Sequence, residues 1–128
     1  MKHTLALKIM SVLSILFTTF HLTDDIVRGI SPGTLWVLPV LILLAVWLYG
    51  ALVLQPRRSG FIIVLVFSFL SLVGPILHMM GRSGLNAGIK SSGGFFFAWT
   101  LMALGVTAIF SVILSAHGLW SVRRGQQG

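Results

Sequence analysis

The side chains able to do chemistry in this sequence gather in one short stretch, "TTFHLTDDIVRG" at 18–29. Asp24 and Asp25 are the only carboxylates in the 128-residue chain, and they follow His21 by three and four positions. On a helix that spacing puts an imidazole and two carboxylates on adjacent turns of one face. A second histidine, His78, stands at the end of another apolar segment. Two imidazoles with one or two carboxylates form a ligand set for zinc or for a redox metal such as iron. The same groups serve equally as a proton relay. The plainer alternative is that His21, Asp24 and Asp25 mark a water boundary, with Asp24 paired to Arg28 one turn later.

Electrostatics sharpens the question. Acidic residues at a helix C-terminus face the negative end of the macrodipole, which costs about 0.3–1 kcal/mol each. A compensating cation is therefore expected, and Arg28, Arg82, a protonated His21 or a metal ion would each serve. The candidate metal ligands are His21, Asp24, Asp25 and His78, and no residue is assigned a catalytic role. Haem ligation across a bundle needs two histidines at a common depth. Only His21 and His78 meet that condition, and no third ligand-rich helix supports haem. His117 lies beside Trp120 and Arg123, at the opposite interface, and His3 is terminal. Met79 and Met80 read as packing residues. The chain has no phosphate-binding glycine loop, no nucleophile with an obvious base, and no row of intramembrane charges.

The elements that carry these residues follow from composition. The chain is 56% hydrophobic and 9% charged, with a mean hydropathy of +1.01. A soluble domain carries about a quarter charged residues. A bilayer core about 30 Å thick needs roughly 20 apolar residues. Four segments meet that length, at about 5–26, 34–55, 60–80 and 95–122. In lipid each backbone must satisfy its own polar groups, which predicts helices. The expected fold is a single all-α integral membrane domain over 1–128, an antiparallel bundle of four transmembrane helices. "TTFHLTDD" offers no small-residue cleavage site, so the first segment reads as a span rather than a signal peptide. The absence of cysteine excludes disulfides and thiolate metal sites.

The connections are short. Segment 1 ends near Arg28–Gly29, and Ser31–Pro32 resembles an N-cap followed by proline at the first position of helix 2. In "QPRRSG", Pro56 stops helix 2 and Ser59 is placed to cap helix 3. Gly81 can close helix 3, and Pro75 is expected to kink it. Residues 82–94, rich in Gly and Ser, are expected to form the one long, mobile loop. Orientation follows the cations. Lys2, Lys8, Arg57, Arg58, Arg123 and Arg124 fall on one side, against Arg28, Arg82 and Lys90 on the other. That excess puts both termini in the cytoplasm and the His/Asp cluster outside. Trp36 and Trp99 then fall near the outer interface, Tyr49 and Trp120 near the inner one. The net charge of +7 serves topology here, so no nucleic-acid partner is expected.

Polar stripes predict which faces meet. Ser11, Ser14, Thr18, His21 and Asp25 repeat at 3-4-3-4 on helix 1, and Ser68, Ser71, Pro75, His78 and Arg82 do so on helix 3. Helix 4 has a small residue at every fourth position, Ala103, Thr107, Ser111 and Ser115. Membrane helices associate over small residues and interhelical hydrogen bonds. Helices 1, 3 and 4 should therefore face each other, with helix 2 more exposed to lipid. Alternatively, each hydroxyl simply bonds its own helix. Two functional classes follow. One is an accessory, assembly or structural subunit that works through helix contacts with other membrane subunits or with itself. The other is a metal- or proton-binding protein, possible as an enzyme, with its site at the outer ends of helices 1 and 3. A bacterial inner membrane is the expected location.

Overall fold

The computed structural model describes residues 2–27, 29, 34–80 and 92–125. These form α1 (Lys2–Val27), a 3₁₀ turn (Thr34–Trp36), α2 (Val37–Leu52), α3 (Arg58–Met80) and α4 (Ser92–Arg123). Among the described residues there is no strand. At 1.5 Å per residue, α1, α3 and α4 are about 39, 35 and 48 Å long. All three are long and apolar enough to cross a membrane. The second expected span, about 34–55, is shorter as a helix, since α2 has 16 residues. Alone it reaches about 24 Å, and the preceding 3₁₀ turn adds about 6 Å.

The ends of the helices have local causes. α1 stops at Val27, and Gly29 follows in the left-handed region at φ +69, its N–H donating to the Ile26 carbonyl at 3.1 Å. Glycine adopts that conformation without a Cβ penalty. α2 ends at Leu52, three residues before the expected limit of 55. The residue before a proline is pushed out of the helical region, so Pro56 acts upstream of itself. Val53 and Leu54 both donate to the Tyr49 carbonyl, at 2.9 and 3.2 Å, so the second bond closes a wider turn at the helix end. α3 begins at Arg58, so Ser59 lies inside the helix and is not its cap. The turn folds back so closely that a Cβ at Gly60 would stand 2.7–2.8 Å from the Leu54 and Gln55 backbone. α3 runs on through a buried Pro75 to Met80. α4 starts at Ser92, earlier than 95, and takes in the end of the expected loop. The remaining loop residues, with Arg82, Gly81 and Lys90, lie outside the described residues, as do Arg28, Ser31 and Pro32.

Packing centres on α4, which contacts α1 and α3 along most of its length, while α1 and α3 touch each other little. The predicted stripes are the buried faces. Ser11 and Ser14 of α1, Ser68 of α3, and Thr107, Ser111 and Ser115 of α4 are all buried. Each side helix therefore meets α4 rather than both meeting each other. The hydroxyls do not bridge the helices. Ser11, Ser14, Thr18, Thr107 and Ser115 donate to carbonyls three or four residues earlier in their own helix. Close approach, rather than interhelical hydrogen bonding, is what the stripes supply. A Cβ at Gly118 would overlap the Phe61 ring, and one at Gly50 would overlap Ile63. α2 buries only Trp47, Gly50 and Ala51, consistent with the expected exposure of this helix. With Leu7, Phe61 and Val64, Trp47 and Ala51 make an apolar core at the end where α1 and α3 begin. Trp47 stacks on Phe67, centroids 5.8 Å apart.

Candidate functional site

α1 and α4 run antiparallel, which defines two ends of the bundle. At one end His21 meets Phe97; at the other His3 meets His117.

The His21 end carries both acids. One helical turn brings His21 Nε2 to 3.6 Å from Asp25 Oδ2, an ion pair whenever the imidazole is protonated. The pair is enclosed. His21 is 7% exposed, and the Phe97 ring of α4 covers it at 5.0 Å between centroids. Phe20 and Phe96 form a second aromatic contact across the same helices, centroids 6.4 Å apart. Asp25 Oδ1 is buried and has no hydrogen-bond partner among the described residues. Asp24 is also partly buried and sits beside the pair. An imidazole and a carboxylate held one turn apart under an aromatic ring can share, store or pass a proton.

The four expected ligands are not all placed. The structure brings together His21 and Asp25, with Asp24 adjacent in sequence. The backbone of His78 belongs to the last turn of α3, and its side chain lies outside the described residues. The Phe97 ring faces His21 from a second helix. Among the described residues no three potential ligands converge. A cleft of about 150 Å³ lies nearby, between α1 and the start of α2. Thr19, Thr23, Trp36 and Val40 line it, and neither His21 nor Asp25 does.

The opposite end gathers cations. Lys8 Nζ donates to the Leu52 carbonyl at 3.3 Å, tying the start of α1 to the end of α2. The Arg124 guanidinium lies over the Trp120 ring at 4.5 Å, a cation–π contact. Here His3 and His117 stack, centroids 5.4 Å apart and planes 29° apart. Sequence reasoning missed this pair because it treated His3 as terminal and compared His117 only with the far cluster. The antiparallel register of α1 on α4 was the missing signal. Eighteen residues separate His3 from His21, and twenty separate Phe97 from His117, so one contact implies the other.

No family model, no curated protein and no solved structure matches this chain.

Proposed function

We propose that the chain is a four-span integral membrane protein with both termini in the cytoplasm, and that it serves as an accessory or assembly subunit through its outward helix faces. The observation that carries this reading is the distribution of large apolar side chains. Leu38, Leu41, Ile42, Leu43 and Val46 on α2 are exposed, as are Phe69 and Leu70 on α3 and Met102, Phe110 and Ile113 on α4. The interior meanwhile buries serines and threonines beside its apolar core, a distribution suited to lipid or partner helices rather than water. The 3₁₀ turn and α2 together reach about the 30 Å of a hydrocarbon core, which supports the fourth span. Orientation rests on Lys8, Arg57, Arg58, Arg123 and Arg124, which lie at the end where α1 begins.

The test is cross-linking in native membranes. Single cysteines at Leu43 and Ile113, treated with a short bifunctional thiol reagent, should each give a discrete higher-mass adduct of reproducible partner composition. Monomeric chain from both positions would remove the subunit reading.

A second reading has its own observation, the buried His21–Asp25 couple under Phe97. It supports a proton-binding site at the end of α1 opposite the cations. A divalent ion held by His21, Asp24, Asp25 and His78 remains a proposal that depends on His78 turning toward α1. Replacing His78 with Ala separates the two, since it should leave the proton-binding couple intact and remove an ion.

A further inference from the structure

The His3–His117 contact is a second place where ligating side chains from different helices meet, and it lies at the cationic end, away from the acids. We propose that these two histidines form a binding site for a divalent transition-metal ion of the zinc type, bridging α1 and α4.

Four observations carry this. First, the spacing fits a shared ion. Two imidazoles bound to one zinc at about 2.0–2.1 Å, with a tetrahedral angle between them, hold their centroids about 5 Å apart. The observed separation is 5.4 Å. Second, both residues are exposed. Each ring can turn about χ2 to aim a nitrogen at a common point, and water can complete the coordination. Third, two of the nearby cations are engaged elsewhere. The Lys8 ammonium is hydrogen-bonded to Leu52, and the Arg124 guanidinium covers Trp120, so neither is shown between the two rings. Fourth, the imidazoles come from two helices that already pack together, so the site needs little ordering to form. Imidazole donors favour zinc, copper and nickel over the hard oxygen-seeking ions.

The test uses untagged full-length protein in detergent at neutral pH. Zinc uptake is read by competition with a chromophoric chelator, and unfolding midpoints are measured with and without the ion. One zinc per chain and a raised midpoint are expected. H3A and H117A should each weaken uptake at least about tenfold, the size of loss that even an outer-shell partner typically causes, and each should abolish the rise. H117F keeps an aromatic ring against His3 without a donor nitrogen, and should lose zinc while unfolding as the parent does in its absence. H21A should bind as the parent does. Three results would overturn the proposal: no uptake by the parent, unchanged uptake by H3A or H117F, or loss of uptake in H21A.

Discussion

At one end of the bundle His21 lies buried, 3.6 Å from Asp25 and under the ring of Phe97. At the other, His3 and His117 lie exposed against each other among lysine and arginine, with no acid among the described residues. The eighteen helical steps of α1 from His3 to His21 span about 27 Å, close to the thickness of a hydrocarbon core. One helix pair thus carries an imidazole contact near each of its ends, and the two settings differ. The enclosed imidazole beside a carboxylate is the couple on which the proton-binding reading proposed above rests. Exposure with a second imidazole favours taking a metal ion. The apolar cluster of Trp47, Phe61 and Val64 sits at the cationic end, while the acidic end has the Phe20–Phe96 and His21–Phe97 contacts and buries Ala98 and Leu101 of α4.

The largest effect should come from attacking that core. Trp47→Ala removes a buried ring stacked on Phe67 and should cost about 3–5 kcal/mol in unfolding experiments in mixed detergent. Phe97→Ala removes a ring that is only partly buried and should cost clearly less. Equal losses would mean that the two ends are equally well built, and the contrast would fail.

The next effect tests the seam joining both ends. Ser111→Leu forces a larger side chain between α4 and its neighbours and should cost about 1–3 kcal/mol. Ile113→Leu, on the exposed face, is a volume-conserving swap that should cost well under about 1.5 kcal/mol. Similar unfolding midpoints for the two variants would show that the stripe does not face a neighbour.

A smaller, more local effect sharpens the description of the acidic end. His21 should react slowly with an imidazole-acylating reagent in the parent. Phe97→Ala should speed this reaction several-fold by uncovering the ring. Asp25→Asn should alter its pH profile, because the carboxylate one turn away is gone. Asp24→Asn should change it less. An Asp24 effect as large as that of Asp25 would reassign the partner of His21.

The smallest expected effect concerns two serines. Phe61 lies against Gly118, and two turns along each helix this antiparallel register brings Ser68 to the level of Ser111. Both hydroxyls are buried without a hydrogen-bond partner among the described residues. Removing such a group is near neutral or stabilising, within about 1 kcal/mol. Ser68→Ala and Ser111→Ala should therefore be mild and additive. A positive coupling in the double variant would reveal a hydrogen bond between them.

Much of this architecture was legible in the residues themselves. Apolar length and sparse charge determined helices, and the spacing of Ser, Thr and Ala marked the buried faces of α1, α3 and α4. The adjacency of His21 and Asp25 needed only one helical turn. The tertiary structure alone decided which faces meet. Every helix here is apolar all round, so hydropathy contrast cannot say what a given stripe is packed against. Gly118 and Gly50 let α3 come close to α4 and α2, and the packing of α1 on α4 completes the pairings. They made α4 the hub and left α1 and α3 scarcely touching. They also put Phe97 over His21, and they joined His3 to His117 across a gap in sequence of more than a hundred residues. Local backbone geometry decided the rest, ending α2 at Leu52 because Pro56 restricts the residue before it and Gly60 lets the turn close on α3.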